Sequence, residues 1–158
     1  MSEHFDAIVI GAGPAGEVAA SRLPKLGLRT ALVERELVGG ECAYWACIPS
    51  KTLLRPPEVR FEAKRTAGTA APEQSWSEVA EYRDYMIRHL DDSNQVAGYE
   101  RDGISVYKSE ARIAGPRRIE VDGELLETDR IVIATGSEAK VPPIRGHDAV
   151  GQIGRAHV

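Results

Sequence analysis

A chain of 158 residues with 42% hydrophobic content is long enough for one sizeable core that buries about two-thirds of the unfolded surface. Its formal charge of −4, without a sustained basic stripe, argues against nucleic acid and anionic membrane as partners. No apolar run approaches the roughly 18 residues of a membrane span, and Met1–Asp6 runs into a strand pattern without a signal-peptide core, so a cytoplasmic protein is expected.

Phe5–Ile10 is a short, almost wholly apolar run ending at glycine, which predicts a buried parallel strand. A helix is expected next, with Pro14 in its first turn and the alanine-rich stretch Ala15–Leu26 continuing to a stop at Gly27. Arg29–Val33 predicts a second buried strand. Cys42 to about Arg65 has helical character, with Pro49 and Pro56-Pro57 expected to kink or interrupt it. Thr66–Gln74, rich in Ala, Gly, Thr and Pro, predicts a linker. From Ser75 through Ala97 the apolar positions Val79, Tyr82, Met86 and Leu90 recur at helical spacing behind a cap at Ser75 or Ser77. Ile104–Ile113, Arg118–Val121 and Leu125–Glu127 alternate as strands, with Asp122-Gly123 as a hairpin turn. Ile131–Ala134 is a further buried strand, broken by Thr135-Gly136. The succession predicts an α/β fold, a parallel sheet with an added antiparallel β-meander.

Gly11-Ala12-Gly13-Pro14-Ala15-Gly16 stands between the first predicted strand and the first helix. In that place Gly11 permits a tight turn, Gly13 lets a pyrophosphate approach the backbone, and Gly16 allows close packing of helix on strand. The helix N-terminus adds N–H donors and partial positive charge. Glu34 closes the second strand about 20 residues on, where a carboxylate accepts hydrogen bonds from an adenosine ribose. This combination predicts a dinucleotide site, and the acidic residue argues against a 2′-phosphate there, leaving FAD or NAD.

The two cysteines, Cys42 and Cys47, are too few for a disulfide framework and too close to restrain a large loop. In a reducing compartment such a pair points to redox or metal chemistry. The alternatives are two small buried apolar residues or half of a zinc site, but no His or further Cys lies at ligand spacing. In an unbroken helix their Cα atoms would be about 8 to 9 Å apart, beyond the ~7 Å at which a bridge forms. A disulfide therefore requires the helix to distort. The segment Gly39-Gly40-Glu41-Cys42-Ala43-Tyr44-Trp45-Ala46-Cys47-Ile48-Pro49-Ser50-Lys51 closely resembles the redox-active segment of the class I pyridine nucleotide–disulfide oxidoreductases. Dihydrolipoamide dehydrogenase, glutathione reductase and mercuric reductase belong to that family.

The resemblance implies an FAD-binding Rossmann-like domain over residues 1–152 and roles for particular residues. Cys42 matches the cysteine that exchanges with the substrate disulfide, and Cys47 the one beside the flavin whose thiolate donates charge to the ring. Both roles need thiolate character. Lys51 matches the lysine near the flavin's reactive nitrogen. Ala134-Thr135-Gly136-Ser137 matches the family's Ala-Thr-Gly segment along the flavin crevice. Together with Gly11, Gly13, Pro14, Ala15, Gly16 and Glu34, the residues Arg35, Gly40 and Glu41 complete the expected cofactor-binding set, and no metal is expected. The implied activity passes electrons from NAD or NADP in its reduced form through FAD and the Cys42–Cys47 disulfide to a small disulfide or other acceptor, in a homodimer. Another class of function is a non-catalytic flavin-binding module.

The sequence departs from the family at Glu41, Tyr44, Trp45 and Ala46, where many relatives have Thr, Asn, Val and Gly. Trp45 is similar to the residue of soluble pyridine nucleotide transhydrogenases, whereas the cysteine pair and Ile48-Pro49-Ser50-Lys51 resemble dihydrolipoamide dehydrogenase. Glu41 sets a negative charge beside Cys42, which opposes thiolate formation, while a carboxylate at a helix start is favourable. The resemblance extends through about Gly146. It further implies a nicotinamide domain, a second FAD contact and an interface domain with a His-Glu pair, none of which the sequence contains. His4, His89, His147 and His157 match no catalytic motif and are read as surface or packing residues. Ile153–Val158 back-translates to a stretch like a common short-read sequencing adapter. Residues 153–158 are therefore expected to be a non-native tail, on a truncated chain without turnover.

Overall fold

The computed structural model describes residues 3–138 together with 143, 145 and 146. Met1–Gly40 and Asp91–Glu138 make up one unit, and Glu41–Leu90 form most of a second. The expected adapter-like tail at 153–158, with His147 and His157, lies outside the described residues.

The first unit is built on a six-stranded sheet in the order β3-β2-β1-β6-β5-β4. Its strands are β1 (Glu3–Ile10), β2 (Thr30–Val33), β3 (Ser105–Tyr107), β4 (Ala111–Gly115), β5 (Arg118–Val121) and β6 (Glu124–Ile133). β1 runs parallel to β2 on one side, with Ile10 opposite Val33, and parallel to β6 on the other, with Ile10 opposite Ile133. Such a central strand is covered on both faces, which explains why its sequence is continuously apolar rather than alternating. On one face Phe5, Ile8 and Ile10 pack with Ala31, Val33, Ile119, Val121 and Leu126; on the other, Val9 and Leu32 pack with Ala20, Val38 and Ile104. α1 (Pro14–Arg22) connects β1 to β2 and is followed by a 3-10 turn, Pro24–Leu26, that closes on Gly27 at φ 76°. The predicted parallel sheet with an antiparallel meander is the fold observed.

Its strand boundaries differ from those expected. Ile104–Ile113 is two strands at opposite edges of the sheet: β3 pairs parallel with β2, and β4 pairs antiparallel with β5. Conversely, Leu125–Glu127 and Ile131–Ile133 belong to the single strand β6, which pairs antiparallel with β5 at its start and parallel with β1 over its length, and Ala134 lies just beyond its end. The polar stretch between them disguises the continuity. Thr128 is fully buried there, with its hydroxyl donating to the Arg130 carbonyl at 2.9 Å. The turn at Asp122-Gly123 has φ of 51° and 79°, the paired left-handed residues of a type I′ hairpin.

In the second unit, α2 (Gly40–Tyr44) enters from the first, and α3 (Cys47–Arg65) packs with α4 (Trp76–Met86). Neither Pro49 nor Pro56-Pro57 ends α3. Pro49 sits in the first turn, where no intrahelical bond is lost, and Pro56 and Pro57 lie within the helix. The break falls earlier, at Trp45-Ala46. Ser75 caps α4, accepting the Glu78 N–H at 3.4 Å. The helix predicted to run to Ala97 instead stops at Met86. Arg88, His89 and Leu90 take left-handed φ values of 54°, 51° and 61°, and α5 (Ser93–Arg101) begins afresh in the first unit. Tyr82, Met86 and Leu90 are substantially exposed, so no buried stripe holds the longer helix straight. No helix among the described residues is long and apolar enough to cross a membrane.

Candidate functional site

Three parallel strands end side by side in the first unit. The Gly11 N–H donates to the Val33 carbonyl and the Ala134 N–H to the Ile10 carbonyl, each at 2.8 Å. These bonds bring the ends of β2, β1 and β6 together, and it is outside such carboxyl ends that open α/β sheets receive ligands. A cavity of 450 Å³ opens there, lined by Gly11, Glu34, Arg35, Thr135, Gly136 and Ser137 among others.

The glycines are placed by contact. Gly11 has φ 97°, and a Cβ on it would lie 2.4 Å from the Ala134 carbonyl oxygen. A Cβ on Gly16 would lie 1.8 Å from the Gly11 oxygen, and one on Gly40, at φ 60°, would lie 2.5 Å from the Gly13 Cα. Gly13 differs: a Cβ there meets no heavy atom within 4 Å. Its bareness faces open space rather than a neighbour. Gly13 precedes Pro14 at the start of α1, no side chain caps the helix, and by helical geometry the N–H groups of Ala15 and Gly16 lack intrahelical acceptors. These donors and the open face of Gly13 fit a pyrophosphate.

Glu34 extends the β2–β3 pairing by donating its N–H to the Tyr107 carbonyl at 2.9 Å. Its carboxylate accepts the Ala12 N–H at 2.7 Å through Oε2 and the Glu36 N–H at 2.8 Å through Oε1. Each oxygen keeps a further lone pair, so an oriented acceptor for ribose hydroxyls stands at the cavity wall. Arg35 is exposed and pairs with Glu36 at 3.5 Å and Glu138 at 3.7 Å. The set Gly11, Gly13, Ala15, Gly16 and Glu34 thus fits the diphosphate and adenosine ribose of a dinucleotide such as FAD.

Ser109, Glu110 and Ala111 also line this cavity, and sequence reasoning missed them. It ran one strand through them, whereas β3 ends at Tyr107 and frees the following residues for the cavity rim. The available signal was the Lys108-Ser109-Glu110 run of polar residues.

In the second unit, Cys42 lies in α2 and Cys47 opens α3. The carbonyl of Glu41 accepts both the Trp45 N–H at 2.9 Å and the Ala46 N–H at 2.7 Å, a one-residue widening of the turn. Ala46 then leaves helical geometry at φ −124°, ψ −83°. The helix is therefore reset between the two cysteines, the kind of distortion that a disulfide across this spacing would require. Neither is bridged in this structure, and both are of intermediate burial. Lys51 is exposed, one turn beyond Cys47 and on the same side of α3. Among the described residues no group of three or more His, Cys, Asp or Glu is placed to hold a metal ion.

Residues 5–157 match the profile of the pyridine nucleotide-disulphide oxidoreductases. The chain belongs to this family. Pyridine nucleotide-disulphide oxidoreductases bind FAD and use NAD(P)H. The chain is 36% identical over 152 residues to dihydrolipoyl dehydrogenase of Acholeplasma laidlawii, covering 92% of this chain and 45% of that one. It is 35% identical over 150 residues to soluble pyridine nucleotide transhydrogenase of Photorhabdus laumondii, covering 89% and 32%. Among solved structures, the Cu(II) complex of the HOCl-induced flavoprotein disulfide reductase RclA from Escherichia coli superposes with a TM-score of 0.70. That match has 27% identity and covers 90% of this chain and 30% of the other. The chain thus spans less than half the length of these family members.

Proposed function

We propose that this chain is the FAD-binding, disulfide-bearing portion of an oxidoreductase that passes electrons from NADH or NADPH to a small acceptor, reversibly, in the manner of dihydrolipoyl dehydrogenase. The observation that carries this reading is the reset of the helix at Trp45-Ala46, which separates the two cysteines in a chain that also holds a dinucleotide-shaped turn. Bound FAD supplies two-electron transfer between the nicotinamide and the thiols.

The residues of the chain take distinct parts. The turn Gly11–Gly16 holds the diphosphate, Glu34 orients the adenosine ribose, and Ala134–Gly136 line the crevice. Gly40 and Glu41 lead the chain into the cysteine segment, and Lys51 places a cation one turn from Cys47. The thiolate of Cys42 attacks a sulfur of the acceptor disulfide, forming a mixed disulfide and releasing one thiol. Cys47 then attacks Cys42, releasing the second thiol and leaving Cys42 and Cys47 bridged. Two electrons and two protons have passed to the acceptor; the nicotinamide returns two electrons as hydride, with one proton, and solvent supplies the other. The complete enzyme is proposed to be a homodimer by its resemblance to the family.

Trp45 favours a second reading, a transhydrogenase-like enzyme whose acceptor is another nicotinamide. Mercuric reductase-like activity and a non-catalytic flavin module are further outcomes of the test. Full-length protein loaded with FAD is mixed anaerobically with NADH or NADPH, then with lipoamide, oxidised glutathione, mercuric ion or the opposite nicotinamide. Rapid flavin bleaching with a gain of two titratable thiols, reversed by a disulfide acceptor, supports the main reading. Bleaching reversed only by nicotinamide selects the second, only by mercuric ion the mercuric reductase-like one, and no bleaching with either nucleotide leaves the flavin module.

A further inference from the structure

Asp92 occupies the N-cap of α5, where its carbonyl accepts the N–H groups of Gln95 at 2.9 Å and Val96 at 3.0 Å. Aspartate is favoured at that position because its carboxylate ordinarily bonds the next free N–H groups of its own helix. Here it does not. Its Oδ2 instead accepts the N–H of Val38, 54 residues earlier, at 2.7 Å. The same oxygen takes the ammonium of Lys108, which also donates to the carbonyl of Glu36. The Asp92 side chain is only 13% exposed and that of Lys108 35%, so solvent screens the pair less than it would a surface contact.

We propose that Asp92 and Lys108 are positioning residues that hold the Glu34–Gly39 loop in the conformation that receives the adenosine half of the dinucleotide. This inference rests on the reading of Gly11–Gly16 and Glu34 as the FAD site. Both ends of the loop are tied to Ala12, through the Glu34 carboxylate on its N–H and through the Gly39 N–H on its carbonyl at 2.8 Å. Within the loop the pair holds the Glu36 carbonyl and the Val38 N–H through charge-assisted hydrogen bonds, the stronger kind. Glu34 also accepts the Glu36 N–H, so the peptide on either side of Glu36 is fixed, one side by the ribose-binding carboxylate and the other by Lys108. Releasing Lys108 frees that peptide and with it the direction of the Glu34 carboxylate.

A purely structural role predicts lower stability and nothing more, because Val38 remains buried in the core. A positioning role predicts a defect confined to the adenosine end of the ligand. The 158-residue chain and its Lys108→Met, Lys108→Arg and Asp92→Ala variants are titrated with FAD, ADP and FMN at a temperature where circular dichroism shows each folded. Lys108→Met is expected to bind FAD and ADP about tenfold more weakly, the loss of one hydrogen bond to a charged group, with FMN affinity unchanged. Lys108→Arg recovers most of the loss. Hydrogen exchange at the Val38 and Gly39 amides, measured without ligand, is expected to accelerate in Lys108→Met. FAD affinity within about twofold of the parent, or equal losses for FMN and FAD, overturns the inference. Should Asp92→Ala fail to fold, Lys108→Met alone decides. If the parent chain binds neither FAD nor ADP, the dinucleotide reading itself fails and takes this inference with it.

Discussion

The carboxylate of Glu34 accepts the backbone N–H of Ala12 at 2.7 Å across 22 residues of chain, so the acid expected to hold the ribose also braces the turn expected to hold the diphosphate. One residue thus links the two parts of the expected dinucleotide site. Replacing Glu34 by Arg removes these acceptors and sets a cation at the ribose. FAD affinity is expected to fall by about ten- to a hundredfold, on the scale of one charged hydrogen bond. Glu34→Gln, which keeps one acceptor oxygen, should lose less. Fluorescence titration of FAD against each variant checks the order; unaltered flavin retention in Glu34→Arg would exclude the assigned role.

The three glycines of the turn should separate stability from binding. Gly11→Ala and Gly16→Ala drive a Cβ to 2.4 Å and 1.8 Å from backbone oxygens, and each should cost about 3 kcal/mol of stability by overpacking. Gly13→Ala meets nothing within 4 Å and has an extended φ of −74°, so its stability should change by under about 1 kcal/mol. Its FAD affinity should nevertheless drop, because the new methyl group occupies the diphosphate's approach. Urea unfolding and FAD titration of the three variants test the split. Equal effects on both quantities at all three positions would contradict it.

Thiol counts should change by two per chain when the protein is taken from oxidised to mildly reduced, as Cys42 and Cys47 open. Cys42→Ser and Cys47→Ser should each leave one titratable thiol in both states. A count that does not change with reduction would show that the reset at Trp45-Ala46 does not serve a bridge.

Alkaline pH should weaken the fold through two tyrosines. Tyr107 is pushed up to about 12, first by burial and then by its hydrogen bond to Glu3; Tyr99 is likewise raised to about 12 by burial and by Glu17. Their unfolded value is 10.0, so the unfolded chain loses these protons first. The contribution is fully present below pH 10 and is lost as pH rises through the folded values. Urea midpoints should fall between about pH 9 and pH 11.5 in the parent, and the slope should flatten in the Tyr99→Phe, Tyr107→Phe double variant. An unchanged slope would place the alkaline loss elsewhere.

The glycine-rich turn, Glu34, the cysteine segment and the Asp122-Gly123 hairpin were legible in the sequence, because each depends on local geometry that a few residue types satisfy. A turn at φ 97° calls for glycine wherever it occurs, and a disulfide across five-residue spacing requires the helix to distort whatever surrounds it. The break itself was misplaced. Proline marks a missing N–H, but in α3 that loss is tolerated, while the real reset at Trp45-Ala46 uses the Glu41 carbonyl and has no compositional mark. The separation of β3 from β4, the fusion of β6 and the end of α4 at Met86 were not legible, because strand pairing and burial join residues far apart in the chain. Asp92 shows the same limit most clearly. It falls inside the stretch expected to stay helical through Ala97, yet it caps a new helix and its carboxylate bonds Val38, because a largely buried carboxylate goes to whichever donors the tertiary fold brings within reach.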